Sequence, residues 1–102
     1  MKPAEITELI QCELSQHKRP IQTCLAIDKC LVKPTQKTFQ GWNEGETWDL
    51  WLVLEERPET KDGYKIALDE VRNEFGLAVC GRGGRDNFIG YYVSFIETIE
   101  AM

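Results

Sequence analysis

The sequence predicts a single small α+β domain over residues 1–102, with an N-terminal helix, an antiparallel meander of four to five strands and a C-terminal helix packed on the sheet. Three observations support this fold class. An apolar stripe follows Pro3, an alternating apolar run occupies residues 46–56, and a capping box begins at Ser94. With 102 residues, 42% hydrophobic and 28% charged, the chain fits one globular domain.

Proline suits the first turn of a helix, so Pro3 marks the expected start of the N-terminal helix. Apolar residues then recur at spacings of three and four, which places them on one helix face. This stripe consists of Ile6, Leu9, Ile10 and Leu14, and the helix should end near Gln16. The apolar residues between Ile21 and Val32 fit a short helix and an extended segment equally well.

Residues 46–56 give the clearest strand, because side chains in a strand point alternately to its two faces and this spacing collects apolar residues on one of them. One face of this strand should carry Trp48, Leu50, Leu52 and Leu54, and the opposite face Asp49, Trp51, Val53 and Glu55. Pro34, earlier in the chain, indicates an edge strand, where a missing N–H costs no ladder hydrogen bond.

The segment Tyr64 to Val79 has two interpretations, and the choice changes the architecture. A helix would place Tyr64, Leu68, Val71 and Phe75 in one stripe. A β-hairpin would instead turn between residues 69 and 74. The alternation of Tyr64, Ile66 and Leu68, together with the short connection to the preceding strand, favours the hairpin.

The last part of the chain should contain a loop, a strand and a helix in that order. Residues 81–87 read as a loop from their composition, and Phe88 to Val93 form a short strand interrupted by Gly90. Ser94 and Glu97 then form the capping box of the final helix. The apolar stripe of this helix consists of Phe95, Ile96, Ile99 and Met102.

The composition argues against several classes of protein. No apolar run approaches the roughly 18 residues of a membrane span, and the N-terminus lacks the apolar core of a signal peptide, so a cytoplasmic location without membrane contact is expected. The net charge of −5 disfavours nucleic acid as a partner. The four cysteines form no C-x-x-C pair and the chain has one histidine, so we expect no metal and no cofactor.

The first candidate site is the strand face that carries Asp49, Trp51, Val53 and Glu55. If both helices pack on the Trp48 face, Trp51 is left for a protein partner or for a second copy of the chain. The alternative is that a terminal helix covers this face and Trp51 belongs to the core.

The second candidate is the glycine-rich segment 81–85, where Arg82, Gly83, Gly84 and Arg85 could bind an anion through backbone amides and guanidinium groups. The segment lacks the spacing of a P-loop or a dinucleotide fingerprint, so a solvated strand connection is the competing interpretation.

No catalytic grouping emerges from the sequence, and an enzyme is the less favoured class. The preferred hypothesis is a small cytosolic protein-binding module that can self-associate through the Trp51 face. One alternative is an acidic inhibitor or immunity-type protein that masks a basic partner. Its negative patch would comprise Asp49, Glu55, Glu56, Glu59, Asp69 and Glu70. Another alternative is an enzyme that binds an anionic substrate at Gly81 to Arg85.

Overall fold

Three helices and five strands are present in the described residues, 1–23, 25–81 and 85–102, of the structure, which is a computed structural model. In chain order they are α1 (Pro3–Gln16), α2 (Ile27–Cys30), β1 (Leu31–Gln40), β2 (Thr47–Glu55), β3 (Tyr64–Asp69), β4 (Glu74–Cys80), β5 (Asp86–Val93) and α3 (Phe95–Glu100). Among the helices of these residues, none has the length and apolar character needed to cross a membrane.

The five strands form an antiparallel meander in which each strand pairs with the next one in the chain. A single parallel register pair, Gln40 with Asn87, then joins β1 to β5 and closes the sheet into a barrel. The predicted α+β fold, with a meander between an N-terminal and a C-terminal helix, is therefore confirmed. The closure was not predicted, and it gives the sheet an interior and an exterior face.

The segment Tyr64 to Val79 is the predicted hairpin, formed by β3 and β4. Its turn is stabilised by Asp69, whose Oδ1 accepts the backbone N–H groups of Val71 at 3.0 Å and Arg72 at 3.2 Å. Asn73 then adopts a left-handed conformation, with φ of 54°, which asparagine tolerates better than most residues. These local turn interactions favour the hairpin over a continuous helix.

The segment from Ile21 to Val32 is mostly irregular in its described residues. It contains one helical turn, α2, and β1 begins at Leu31 directly after it. Neither of the two interpretations left open by the sequence is therefore right for the whole segment.

The barrel has two apolar cores, one on each side of its wall. The interior is narrow and combines small with large side chains, because a five-stranded barrel leaves little room. The interior cluster contains Phe39, Leu50, Leu52, Ala67, Ala78 and Phe88. The outer core lies between the barrel and the helices α1 and α3, and its buried members include Ile6, Ile10, Val53, Leu54, Ile66, Leu68, Phe75, Leu77, Phe95 and Ile99.

Two side chains fix the start of α3, which at six residues is too short to be stable alone. Ser94 Oγ accepts the N–H of Glu97 at 3.1 Å, which forms one half of the predicted capping box. The other half is not formed, because the Ser94 N–H donates to Tyr92 O at 2.8 Å. Glu13 of α1 accepts the N–H groups of Phe95 at 3.1 Å and Ile96 at 2.8 Å. The carboxylate of one helix thus caps the other and holds the pair together on the barrel.

Candidate protein-interaction site

The four residues of the first candidate site do not share an open face. The helices pack on the Trp51 side of β2, not on the Trp48 side, which lines the barrel interior. Val53 is fully buried in the outer core, and Trp51 is half-buried against the same core. Because Trp51 is covered within the chain, the main reason for expecting self-association at this face disappears.

A β-bulge in β2 explains where Glu55 lies. Leu52 pairs with Ala67 and Leu54 pairs with Ile66, so Val53 is an extra residue in the strand. A bulge reverses the alternation beyond it. Leu54 therefore joins Val53 in the outer core, and Glu55 is 5% exposed and pairs across the strands with Lys65. The prediction that Glu55 lies on the face of Trp51 is wrong for this reason.

Asp86 is the centre of a buried group of charges next to this strand pair. Its Oδ1 accepts a hydrogen bond from Lys65 Nζ at 2.7 Å, and its Oδ2 forms an ion pair with Lys37 Nζ. Burial would raise the pKa of Asp86, but the hydrogen bonds from Lys37 and Lys65 outweigh burial and hold this pKa below its ordinary value. The hydrogen bond to Asp86 raises the pKa of Lys37.

This ionic cluster, Lys37, Glu55, Lys65 and Asp86, combines two cations with two anions. Lys65 and Asp86 are each 2% exposed, whereas the Lys37 side chain is 40% exposed. Among the described residues Glu55 Oε2 has no hydrogen-bond partner. The formal charges cancel, so the cluster has no net charge with which to attract an ionic ligand. We interpret it as part of the structure of the barrel.

The negative patch of the inhibitor hypothesis is not assembled as predicted. Glu55 lies inside the ionic cluster, and Asp69 is 9% exposed because it serves the β3–β4 turn. Asp69 Oδ2 also accepts a hydrogen bond from the Tyr91 hydroxyl at 2.6 Å. Burial, then this hydrogen bond, raises the pKa of Tyr91 to about 12. The carboxylates of Glu55 and Asp69 are therefore buried and do not contribute to a surface patch.

Of the second candidate site, Arg82, Gly83 and Gly84 lie outside the described residues. The flanking residues are described. Gly81 N–H donates to the backbone oxygen of Arg85 at 2.6 Å, and Arg85 is exposed. Anion binding at this segment stays a prediction.

The loop between β1 and β2 carries a tryptophan. We define residues 41–46 as the Trp42 loop. Trp42 is 74% exposed, an unusual position for a large aromatic side chain. Two backbone hydrogen bonds close the loop. Gly41 N–H donates to Glu46 O at 2.8 Å, and Glu46 N–H donates to Asn43 O at 3.0 Å.

Glu46 organises the interior of this loop. Its Oε1 accepts hydrogen bonds from Trp42 N–H at 3.2 Å and from Trp48 Nε1 at 3.2 Å, and its Oε2 accepts one from Asn43 Nδ2 at 3.3 Å. A Cβ atom at Gly41 would collide with Glu46 and with the Trp48 indole, including Glu46 Cγ at 2.7 Å. The residue before Trp42 must therefore be glycine if Glu46 is to keep these contacts.

The sequence contained part of this signal. The segment from Gly41 to Glu46 combines two glycines with polar residues, which is typical of a loop. A tryptophan in such a loop does not belong to the alternating pattern of a strand. Trp48 and Trp51 fall within the predicted strand of residues 46–56, whereas Trp42 precedes it. Trp48 lies half-buried at the barrel interior and Trp51 half-buried at the outer core, so Trp42 alone among them is exposed.

Comparisons of the chain with protein-family models, with curated proteins and with solved structures find no match. Any functional assignment therefore depends on the site geometry alone.

Proposed function

We propose that this protein is a protein-interaction module that docks on its partner through the Trp42 loop. The observation that carries the proposal is the 74% exposure of Trp42 on a loop held by five hydrogen bonds. Tryptophan is among the residue types that contribute most to binding energy at protein interfaces.

The expected contribution of Trp42 can be estimated from its exposed surface. A buried tryptophan removes roughly 150–250 Å² from water, at about 25 cal/mol per Å². Covering the exposed part of Trp42 would therefore contribute at least about 3 kcal/mol before any entropic cost. This amount equals roughly a 150-fold change in Kd.

The order of the loop makes this contribution available to binding. An interface that must first order a flexible loop loses part of its contact energy to conformational entropy. The Glu46 carboxylate already accepts hydrogen bonds from the backbone N–H of Trp42 and from the side-chain amide of Asn43. The partner therefore meets an anchor whose backbone is already in place.

The proposal is tested by panning a phage-displayed random peptide library on the immobilised protein and measuring Kd of the selected peptides by biolayer interferometry. Trp42→Ala should fold normally, because the removed side chain is mostly exposed. It should raise the Kd of the selected peptides by roughly 30- to 150-fold, a loss of about 2–3 kcal/mol of binding free energy.

Val71→Ala provides the matched control, since Val71 is 93% exposed on the β3–β4 turn. This variant should leave Kd unchanged, because it also removes exposed apolar surface but at another turn. A selection in which no peptide depends on Trp42, or in which Val71→Ala weakens binding equally, would overturn the proposal.

A further inference from the structure

The charged residues of the Trp42 loop, and of the chain segment on either side of it, all have one sign. From Thr38 to Leu54 the chain has three acidic residues, Glu44, Glu46 and Asp49, and no lysine, arginine or histidine. Glu44 and Asp49 are exposed, and Glu46 lies at the base of the loop. Asp49 accepts a hydrogen bond from Thr38 Oγ1 at 2.7 Å, which holds its carboxylate at the surface of the β1–β2 pair.

We infer that the partner is a protein surface with an apolar pocket bordered by lysine or arginine side chains. This inference rests on the proposed docking of Trp42. When the indole enters a pocket, Glu44 and Asp49 come to the rim of the contact. Rim charges of opposite sign speed association, and rim charges of like sign cost affinity. The chain's net charge of −5 acts in the same direction at longer range.

The same charges argue against other occupants. A phosphate backbone or an anionic membrane surface would meet carboxylates of its own sign. A second copy of the chain, docked by a two-fold contact of the two Trp42 loops, would place Glu44 and Asp49 near their own equivalents. A basic protein surface is the occupant that turns each of these carboxylates into a favourable contact.

The test uses the peptides selected on the wild-type protein. Those that depend on Trp42 should be enriched in lysine and arginine around apolar residues. The double variant Glu44→Gln/Asp49→Asn keeps Trp42 and leaves an acceptor for Thr38. It should raise the Kd of these peptides by roughly 3- to 10-fold. The loss should shrink as NaCl is raised towards 1 M, where the Debye length falls to about 3 Å.

The control Glu8→Gln/Glu59→Gln removes the same net charge at two exposed positions, on α1 and on the β2–β3 connection. It should change Kd by less than about twofold at 0.15 M salt, because remote charges are screened. If Trp42-dependent peptides lack basic residues and ignore Glu44→Gln/Asp49→Asn, the inference fails while the docking proposal stands.

Two further outcomes are decisive. A selection with no Trp42-dependent peptide ends the docking proposal and the inference together. A concentration-dependent dimer in size exclusion with light scattering that Trp42→Ala converts to a folded monomer would show that the loop binds a second copy. That result would keep Trp42 as the anchor and overturn the basic partner.

Discussion

Replacing Asp86 by asparagine tests the role of the ionic cluster inside the barrel. Asp86 is the common partner of Lys65, at 2.7 Å, and of Lys37. The side chains of Lys65 and Asp86 are 3% and 0% exposed, so Asp86→Asn leaves the Lys65 ammonium in the barrel without its direct counter-ion. The substitution preserves size and one acceptor, so it removes charge with little change in packing.

The expected loss of stability follows from the burial of Asp86 and Lys65. Removing one partner of a buried ion pair costs about 3–5 kcal/mol. The lower end applies here, because Glu55 pairs across the strands with Lys65 and offers a second carboxylate. The Lys37 side chain, 40% exposed, can also turn to water. We therefore expect Asp86→Asn to lower the free energy of unfolding by about 3 kcal/mol.

Urea unfolding followed by tryptophan fluorescence and circular dichroism measures this loss. Asp62→Asn is the matched control, because Asp62 pairs with Arg57 at 3.5 Å on the surface, where both side chains are more than half exposed. It should change stability by less than about 1 kcal/mol. Adding Lys65→Met to Asp86→Asn should recover at least half of the loss, since it removes the unpaired cation. A loss below about 1 kcal/mol for Asp86→Asn would refute the reasoning.

The same substitution has a predicted pH dependence. Because the folded pKa of Asp86 lies below its ordinary value, its contribution is fully present above pH of about 4 and is lost as pH falls through the folded pKa. The difference in stability between the wild type and Asp86→Asn should therefore shrink below pH of about 4. A difference that stays constant there would contradict the assigned ion pairs.

Two further substitutions test local features of the fold by the same urea assay. Glu13→Ala leaves the N–H groups of Phe95 and Ile96 without their acceptor and should cost about 1–2 kcal/mol, whereas Glu8→Ala on the exposed side of α1 should cost less than about 0.5 kcal/mol. Val93 is 59% exposed with φ of 67°, so Val93→Asn should stabilise the protein by about 1 kcal/mol; a loss of stability would mean that the valine makes compensating contacts.

The elements that the sequence predicted correctly carry strong local signals. Pro3 and the apolar stripe place α1 at Pro3–Gln16, and Ser94 caps α3 as its capping box predicts. The β3–β4 hairpin has its own signal in Asp69 and Asn73, which shape the turn. Each of these features depends on residues a few positions apart, and such interactions are visible in a single sequence.

The features that were not predicted depend on residues far apart in the chain. The bulge at Val53 is a register shift between β2 and β3, and no spacing within β2 alone announces it. The barrel closure depends on one pair, Gln40 with Asn87, separated by most of the sheet. Once the barrel closes, the Trp48 side of β2 becomes the interior and the helices must cover the other side. Alternation shows which residues share a face, but it does not show which face is outside.

This difference decides where the candidate site lies. A sheet with both helices packed on its Trp48 face would leave Trp51 in solvent. A closed barrel covered by helices uses both faces of β2, so Trp48 and Trp51 both contribute to cores. Of the three tryptophans only Trp42 is then exposed, beyond the end of β1, where Gly41 and Glu46 shape the loop that presents it. An exposed tryptophan costs solvation free energy in the free protein, and a partner that covers it would recover that cost.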